Sequence, residues 1–496
     1  MASSAMIDES KTRITSRSSL IDSIGCGLNG VSVIDEEELK RKILIPKYLR
    51  VAMCEAIQTK NPNVGFQENA AADDDKNEVP EAPMVVFVNS KSGGRKGSAL
   101  QQILQEFISK EQVFDLSVVK PHEFVHYGLA CLENLASCGD LNAKETREKL
   151  RIIVAGGDGT VGWVLGNLTE LLKQNREPVP PTGIIPLGTG NDLSRTFNWG
   201  GSFPFPWKST IKRTLNEAIT APISRLDSWN VVVTMPAGDT LELPHCLRYT
   251  EDYTHSQDMD GLPEKTSSFE GVFYNYFSVG MDAQVAYGFH SLRNQNPYLA
   301  QGPVANKIIY SSYSCTQGWF CTPCMSTPNL RGLKNIVRLY IKKVNCSDWE
   351  QVRVPSSVRS IVCLNLHNYG GGRNPWGNLK PQYLEKRGFV EAHADDGLLE
   401  IFGLKEGWHA SFVMVELISA KHIAQVQVRQ LVPFSETIFM NVFQAAAIRM
   451  EVRGGDWKKG YMQMDGEPWK QPMHKEYSTF VDIARAPFQS RMITRE

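Results

Sequence analysis

No run of 18 consecutive apolar residues occurs in this chain of 496, which excludes a spanning helix and limits any membrane contact to the periphery. A basic excess is also missing. With 53 Lys and Arg against 54 Asp and Glu, the chain has neither the charge nor an RNA-reading motif of a nucleic-acid protein, so partners have to be met by local patches. The start, Met1 to Ser19, has no apolar h-region and carries Asp8 and Glu9, so no signal peptide is expected. Ala2 stands where N-myristoylation requires glycine. Ten cysteines are scattered without a disulfide framework, which points to reduced thiols in the cytosol. Cys315, Cys321 and Cys324 cluster, but no matching Cys-x-x-Cys or His pair follows to supply a zinc's fourth ligand. Acylation of those thiols stays open, as does bilayer contact by Trp319 and Phe320, against ordinary loop packing.

What is present suffices for large cores: the chain is 42% hydrophobic, and its length suits two folded domains. Residues 1–60 read as an N-terminal extension, in which Lys40 to Arg50 is basic and apolar and suits either anionic lipid or a helix docked on the following domain. Residues 61–82, with Ala70-Ala71-Ala72-Asp73-Asp74-Asp75, lack core-forming groups and read as a flexible linker. From Met84, strands and helices alternate: strands Met84–Asn89, Val113–Val119 and Arg151–Ala155, with helices near Ser98–Lys110, Glu123–Ala136 and Thr160–Lys173. That rhythm predicts a doubly wound α/β domain over 83–225. Beyond Arg225-Leu226-Asp227-Ser228-Trp229, strand patterns dominate, predicting a β-rich sandwich over 226–487 with a mobile insertion at 236–266, then a tail at 488–496.

Glycines mark the strand ends of the first domain. Ile152-Ile153-Val154-Ala155 runs into Gly156-Gly157-Asp158-Gly159-Thr160-Val161-Gly162, a turn that lets backbone N–H groups approach an anion and then opens a helix. Gly157, Gly159 and Gly162 fit a dinucleotide G-x-G-x-x-G, but no ribose-binding acid ends a second strand about 20 residues on. Instead Gly183 to Leu187 leads to a second corner, Gly188-Thr189-Gly190-Asn191-Asp192. Val85 to Asn89 leads to a third, Ser90-Lys91-Ser92-Gly93-Gly94-Arg95-Lys96-Gly97, whose spacing is not that of a Walker loop. Glycine corners on one sheet edge, where open α/β sheets bind ligands, suggest a polyphosphate gripped more than once.

These residues together resemble the diacylglycerol kinase family, within a wider group of sphingosine kinases, bacterial lipid kinases and NAD kinases. Further carriers are Phe87-Val88-Asn89, Pro186-Leu187, Leu193-Ser194-Arg195, Phe277-Ser278-Val279-Gly280-Met281-Asp282-Ala283, Phe289-His290, Asn368-Tyr369-Gly370-Gly371-Gly372, Asp396-Gly397-Leu398-Leu399-Glu400 and Asp465-Gly466-Glu467-Pro468-Trp469. The likeness covers roughly 83–487. Ser90 departs from the family, where many members have proline, and C1 modules and EF-hands are missing, so the chain looks most like the short plant members. The resemblance implies phosphorylation of diacylglycerol by ATP, with Mg²⁺, to phosphatidic acid, in lipid signalling tied to stress and defence.

On this reading Asn89, Ser92, Gly93, Gly94, Gly156, Gly157, Gly159, Thr160, Gly188, Thr189, Gly190 and Asn191 bind ATP, while Lys91, Arg95 and Lys96 oppose its charge. Asp158 and Asp465 are rival general bases, the latter because related bacterial lipid kinases use a similarly placed acid. Asp192, Asp395 and Asp396 are candidate Mg²⁺ ligands, although hairpin and capping chemistry also accounts for them. Expected partners are diacylglycerol at a membrane surface, with anionic lipid or calmodulin also considered, and a peripherally attached cytoplasmic monomer. Trp199 to Trp207 and Trp319-Phe320 are candidates for lipid contact. A sphingoid-lipid or NAD kinase, or a non-catalytic adaptor, remain alternatives, and the adaptor predicts decay of acids that are all intact here.

Overall fold

The computed structural model describes residues 35–64, 79–92, 96–203, 208–239, 244–250, 261–296, 333–342, 348–375, 381–387, 389–405, 421–427, 448–455 and 457–496. It begins with two helices, α1 (Glu36–Ile43) and α2 (Lys47–Thr59). Acids fill the first turn of α1 and bases its last, matching the helix dipole, and Lys40 and Lys42 pair back to Glu36 and Glu38. The opposite stripe is buried: Leu39, Ile43, Ile45, Leu49, Met53 and Ile57. Gln112, itself buried, accepts from Ile45 N–H (3.1 Å) and donates to the carbonyls of Ile43 (3.1 Å) and Met84 (2.7 Å). The segment expected as an extension therefore packs, from Glu36 on, into the first domain's core through these six side chains, while Tyr48 and Val51 stay exposed. Most of the expected linker lies outside the described residues.

Strand β1 (Met84–Val88), helix α3 (Lys96–Phe107) and strand β2 (Val113–Asp115) follow, β2 being shorter than its apolar run suggested. Then come α4 (Pro121–Glu123), a π-helical turn (Phe124–Leu129) and α5 (Ala130–Ser137), with α6 (Leu141–Lys149), which the polar sequence did not announce, capped by Asp140. The sheet continues through β3 (Arg151–Gly156), α7 (Asp158–Lys173), β4 (Thr182–Pro186), α8 (Asp192–Thr196), α9 (Lys208–Thr220) and β5 (Ile223–Leu226). Strands β2, β1, β3 and β4 run parallel in that order. Every residue of β1 and β4 is buried, as a parallel sheet covered on both faces demands.

The second half is two antiparallel sheets on one core. Strands β6 (Trp229–Pro236), β7 (Leu247–Thr250), β8 (Thr266–Phe273) and β9 (Tyr276–Gly280) precede α10 (Met281–Gln295), a helix hidden in a strand-rich stretch. Strands β10 (Val337–Lys342), β11 (Trp349–Val352) and β12 (Val358–Leu364) come next, then helix α11 (Pro381–Arg387). The rest are β13 (Leu398–Lys405), β14 (Lys421–Gln427), β15 (Ile448–Val452), β16 (Lys459–Met464), β17 (Glu467–Pro472), β18 (Thr479–Arg485) and β19 (Ser490–Ile493). One sheet is ordered β11-β10-β15-β18-β6-β8-β7, the other β14-β13-β12-β9-β16-β17. Trp229, Phe273, Phe277, Ile361, Ile401, Met450 and Met462 meet between them. The stretch read as an insertion contains β7, paired to β8, so it extends a sheet instead of leaving it.

The last strand corrects the expected tail. Instead of trailing, β19 returns to the first domain and fills the slot between β4 and β5, parallel to the former and antiparallel to the latter. Trp199, offered above to lipid, is 6% exposed and donates from Nε1 to the Ile493 carbonyl at 2.7 Å. Residues 204–207 and 315–324, with Trp207, Trp319, Phe320 and the cysteine cluster, lie outside the described residues. Among the described residues no helix is long and apolar enough to cross a membrane. Because Ile493 is fully buried, Ile493→Ala is expected to cost about 2–5 kcal/mol of stability. A urea midpoint equal to wild type would show that β19 is dispensable.

Candidate active site

The glycine corners meet through their backbones. Leu187 N–H donates to the Gly156 carbonyl (2.9 Å), and a Cβ on Gly188 would stand 2.6 Å from Gly157 Cα, so no side chain fits between the first and second corners. Asn89 joins the third by donating from Nδ2 to Thr160 Oγ1 (2.9 Å) while its Oδ1 accepts from Lys91 N–H (3.1 Å). Ser92 N–H turns back to the Asn89 carbonyl. Gly93, Gly94 and Arg95 lie outside the described residues, as does the side chain of Lys96. Asn191, buried and at φ 56°, clamps its own corner: its amide accepts from Gly188 N–H and donates to the Gly188 and Gly201 carbonyls, all at 2.9 Å. Its side chain is spent on the turn. Gly159 differs from its neighbours, being exposed with no atom within 4 Å of where a Cβ would lie.

Asp158 opens α7 and its carboxylate accepts from the N–H groups of Asp192 (2.9 Å) and Leu193 (3.1 Å), capping α8. Asp192, 3% exposed, accepts at Oδ1 from Gly371 N–H (2.8 Å) and Gly372 N–H (2.6 Å). Those glycines belong to a second-domain turn in which Gly370, Gly371 and Gly372 all have positive φ, at 62°, 97° and 87°. Only glycine holds such a run without strain. The Oδ2 atoms of Asp192 and Asp158 lie 3.4 and 3.6 Å from where a Cβ on Gly190 would stand.

Asp465 reaches the same helix from the other domain. With Gly466 it forms the two-residue hairpin between β16 and β17, both at positive φ (48° and 83°), as a type I′ turn requires. Its carboxylate accepts from the N–H groups of Tyr274 (2.8 Å), Asn275 (2.8 Å) and Tyr276 (2.9 Å). Oδ2 lies 3.7 Å from the position of a Cβ on Gly162, one turn into α7. Burial is the main cause pushing Asp158 up to about 7, joined by the charges of Asp192 and Asp465 and opposed by its two N–H donors. Burial likewise raises Asp192, against the glycine N–H groups and Arg195. It lifts Asp465 to about 6 despite three N–H bonds, with Glu467 adding repulsion.

Asp395 and Asp396 are not brought to this cluster. Asp396 accepts from His393 N–H (3.0 Å) and Leu398 N–H (2.8 Å) within its own turn, and the Asp395 carbonyl accepts from Gln489 Nε2 (3.1 Å). The turn serves Asp227 at the domain junction, which takes Gly397 N–H (2.7 Å), Gln489 Nε2 (2.9 Å) and the Arg485 guanidinium. The Asp396 carboxylate is thus engaged in its own hairpin, and Asp395 through its backbone carbonyl, so neither candidate metal ligand stands beside Asp192. Conversely, residue patterns alone did not single out the Gly370–Gly372 turn or Tyr274 as parts of the site. Three glycines in a row was the available signal for the first; for Tyr274, buried against Gly162 and Gly166, there was none.

Carboxyls raised in the fold hold protons that the unfolded chain releases, so stability present at low pH is lost as pH rises from about 4 through about 7. Asp192→Asn keeps an Oδ1 for the glycine N–H groups and removes one charge. Its urea midpoint is expected above wild type at pH 7.5, with the gap closing at pH 4.5. An equal gap at both pH values would contradict charge crowding here.

Two family profiles match the chain: Diacylglycerol kinase catalytic domain over 83–223 and Diacylglycerol kinase accessory domain over 272–468. Diacylglycerol kinase 7 of Arabidopsis thaliana is 61% identical, aligned over 95% of this chain and 94% of that protein. Diacylglycerol kinase 4 of the same plant is 59% identical over 99% of each. Diacylglycerol kinase 1 of Oryza sativa subsp. japonica is 36% identical over 82% of this chain and 78% of its own. Among solved structures, yeast NADH kinase complexed with NADH covers 84% of both chains at 10% identity and a TM-score of 0.34, too loose a likeness to carry an argument. Both domains of the fold and relatives matched nearly end to end place this chain in the diacylglycerol kinase family, as an ATP-dependent kinase of diacylglycerol.

Proposed function

We propose that phosphoryl transfer to diacylglycerol takes place where α7 faces the second domain, with the nucleotide phosphates on the glycine corners and Asp465 accepting the hydroxyl proton. The observation that carries this reading is the approach of two carboxyls to one helix from different domains: Asp158 at its first residue, Asp465 against Gly162. Phosphoryl transfer asks for positioning, charge neutralisation and a proton acceptor. Corners closed backbone to backbone supply the first, and Gly159 gives phosphate an open approach to the N-terminus of α7. Asp465 fits the last. Three N–H bonds fix its carboxylate, free lone pairs remain, and a pKa of about 6 leaves it ionised yet basic near neutral pH.

Asp158 and Asp192 suit a different task. Both carboxylates flank the Gly190 corner with mutual repulsion, and hard oxygen donors of like charge suit Mg²⁺, which would neutralise the nucleotide phosphates when bound. Asp158 then orients this arrangement through α8, and Asp465 is left as the base. Diacylglycerol is a bilayer lipid, so the enzyme acts peripherally at a membrane surface, consistent with described helices too short and polar to span one.

Transfer of labelled phosphate from ATP to diacylglycerol in mixed micelles tests this. Asp465→Asn, which keeps the turn, is expected to lower kcat by about 10²-fold or more, and wild-type kcat/KM should fall below about pH 6. Retention of wild-type kcat by Asp465→Asn would remove it as the base. Gly159→Ala should stabilise the fold by about 0.5–1 kcal/mol as a helical Gly→Ala change yet raise KM for ATP about tenfold by intruding on the phosphates. Unchanged KM would move the nucleotide away from that corner.

A further inference from the structure

The turn that holds Asp192 is itself held from below. Tyr369 closes its base by exchanging backbone hydrogen bonds with Arg373 (2.8 and 3.0 Å), and its ring packs edge-on against Tyr276 and Phe402, with centroids 5.0 and 5.5 Å away. The Tyr369 hydroxyl donates to Asp282 Oδ2 at 3.1 Å. That one oxygen also accepts from Ser278 Oγ (2.5 Å) and Gln463 Nε2 (2.8 Å), while Asp282 N–H donates to Ser360 Oγ (2.9 Å). Asp282 is 3% exposed, and its Oδ1 has no hydrogen-bond partner among the described residues.

Stability is a poor account of that arrangement. A buried carboxylate with one oxygen crowded and the other unpaired is costly to hold in a sandwich core. Its three donors come from β9, β16 and the glycine turn, while Ser360 on β12 accepts its backbone N–H. Of these only Tyr369 leads out of the sandwich core, to N–H groups 2.6 and 2.8 Å from Asp192, whose own N–H is 2.9 Å from Asp158.

We propose that Asp282 is a positioning residue for phosphoryl transfer: through the Tyr369 hydroxyl it fixes the Gly370–Gly372 turn, and so the placement of Asp192 and Asp158 at the phosphate corners. Small displacements of reacting groups cost rate more than affinity, because the transition state tolerates them least. The relay therefore acts on kcat. It rests on the proposed assignment of Asp192 and Asp158 to the site.

The test uses the full-length protein, MgATP and diacylglycerol micelles, with Tyr369→Phe, Asp282→Leu, Asp282→Asn and Asp192→Asn. Tyr369→Phe, which deletes one hydroxyl, and Asp282→Leu are expected to lower kcat about 10- to 100-fold with both KM values within about twofold. Asp282→Asn, which retains an acceptor oxygen for Tyr369, should recover most of the rate. Asp282→Leu strands the Ser278, Gln463 and Tyr369 donors and is expected to lower the urea midpoint, whereas Tyr369→Phe should keep a midpoint near wild type while losing rate, so that stability and activity part company in that variant. Wild-type kcat in Tyr369→Phe, or losses that merely follow the folded fraction, would overturn the relay. If Asp192→Asn is inactive while Tyr369→Phe is not, the relay alone is wrong; if Asp192→Asn keeps wild-type kcat, the site assignment falls and the relay with it.

Discussion

The buried carboxylate of Asp192 is the contact on which the two-domain arrangement of the site depends. Its backbone N–H is given to Asp158 and its Oδ1 takes two N–H groups from the second domain's glycine turn. One side chain thereby ties the end of β4, the start of α7 and a loop about 180 residues further along the chain. Burial raises its pKa, against the glycine N–H groups and the Arg195 charge, and raises that of Asp158 beside it. Such crowding costs stability at neutral pH, and it accompanies the role proposed for these acids at the phosphate corners.

Around that contact the fold is built to let backbones touch. Gly188 against Gly157 and Gly372 against Arg195 are places where a Cβ would crowd its neighbour, while Tyr274 lies in ordinary contact range of Gly162 and Gly166. Asp465 illustrates two duties in one residue. As the first residue of a type I′ hairpin it is ordinary turn chemistry, and the same left-handed backbone aims its carboxylate at three N–H groups beside α7. With Asp465 as the proposed base, turn and site would be one device and not competing explanations.

The junction between domains follows the same economy. Asp227, 1% exposed, gathers Gly397 N–H, Gln489 and Arg485, while Asn365 links the Asp227 and Tyr274 carbonyls to Trp229 Nε1. Such a satisfied network holds Tyr274 and its neighbours at the face of α7. Strand β19 then returns to the first sheet, so the sandwich is tethered to the catalytic domain at both its start and its end.

By itself the sequence determined what short-range chemistry governs. Apolar runs followed by glycine gave the parallel strands and corners, because a fully buried strand and a positive-φ or close-approach turn each demand particular residues. Alternation further on gave the sandwich, and plural motifs gave the family. Tertiary structure alone decided the rest. Helices α6 and α10 carry weak local signals, and α1 and α2 gain their place from Gln112, 69 residues beyond Ile43. Strand β19 is four residues whose partners lie more than 260 positions away. Which carboxyls meet was also hidden: Asp192 found Gly371 and Gly372, while Asp395 and Asp396 went to a hairpin. Periodicity reports a residue's own face, whereas hydrogen bonds between distant segments exist only once the chain has folded.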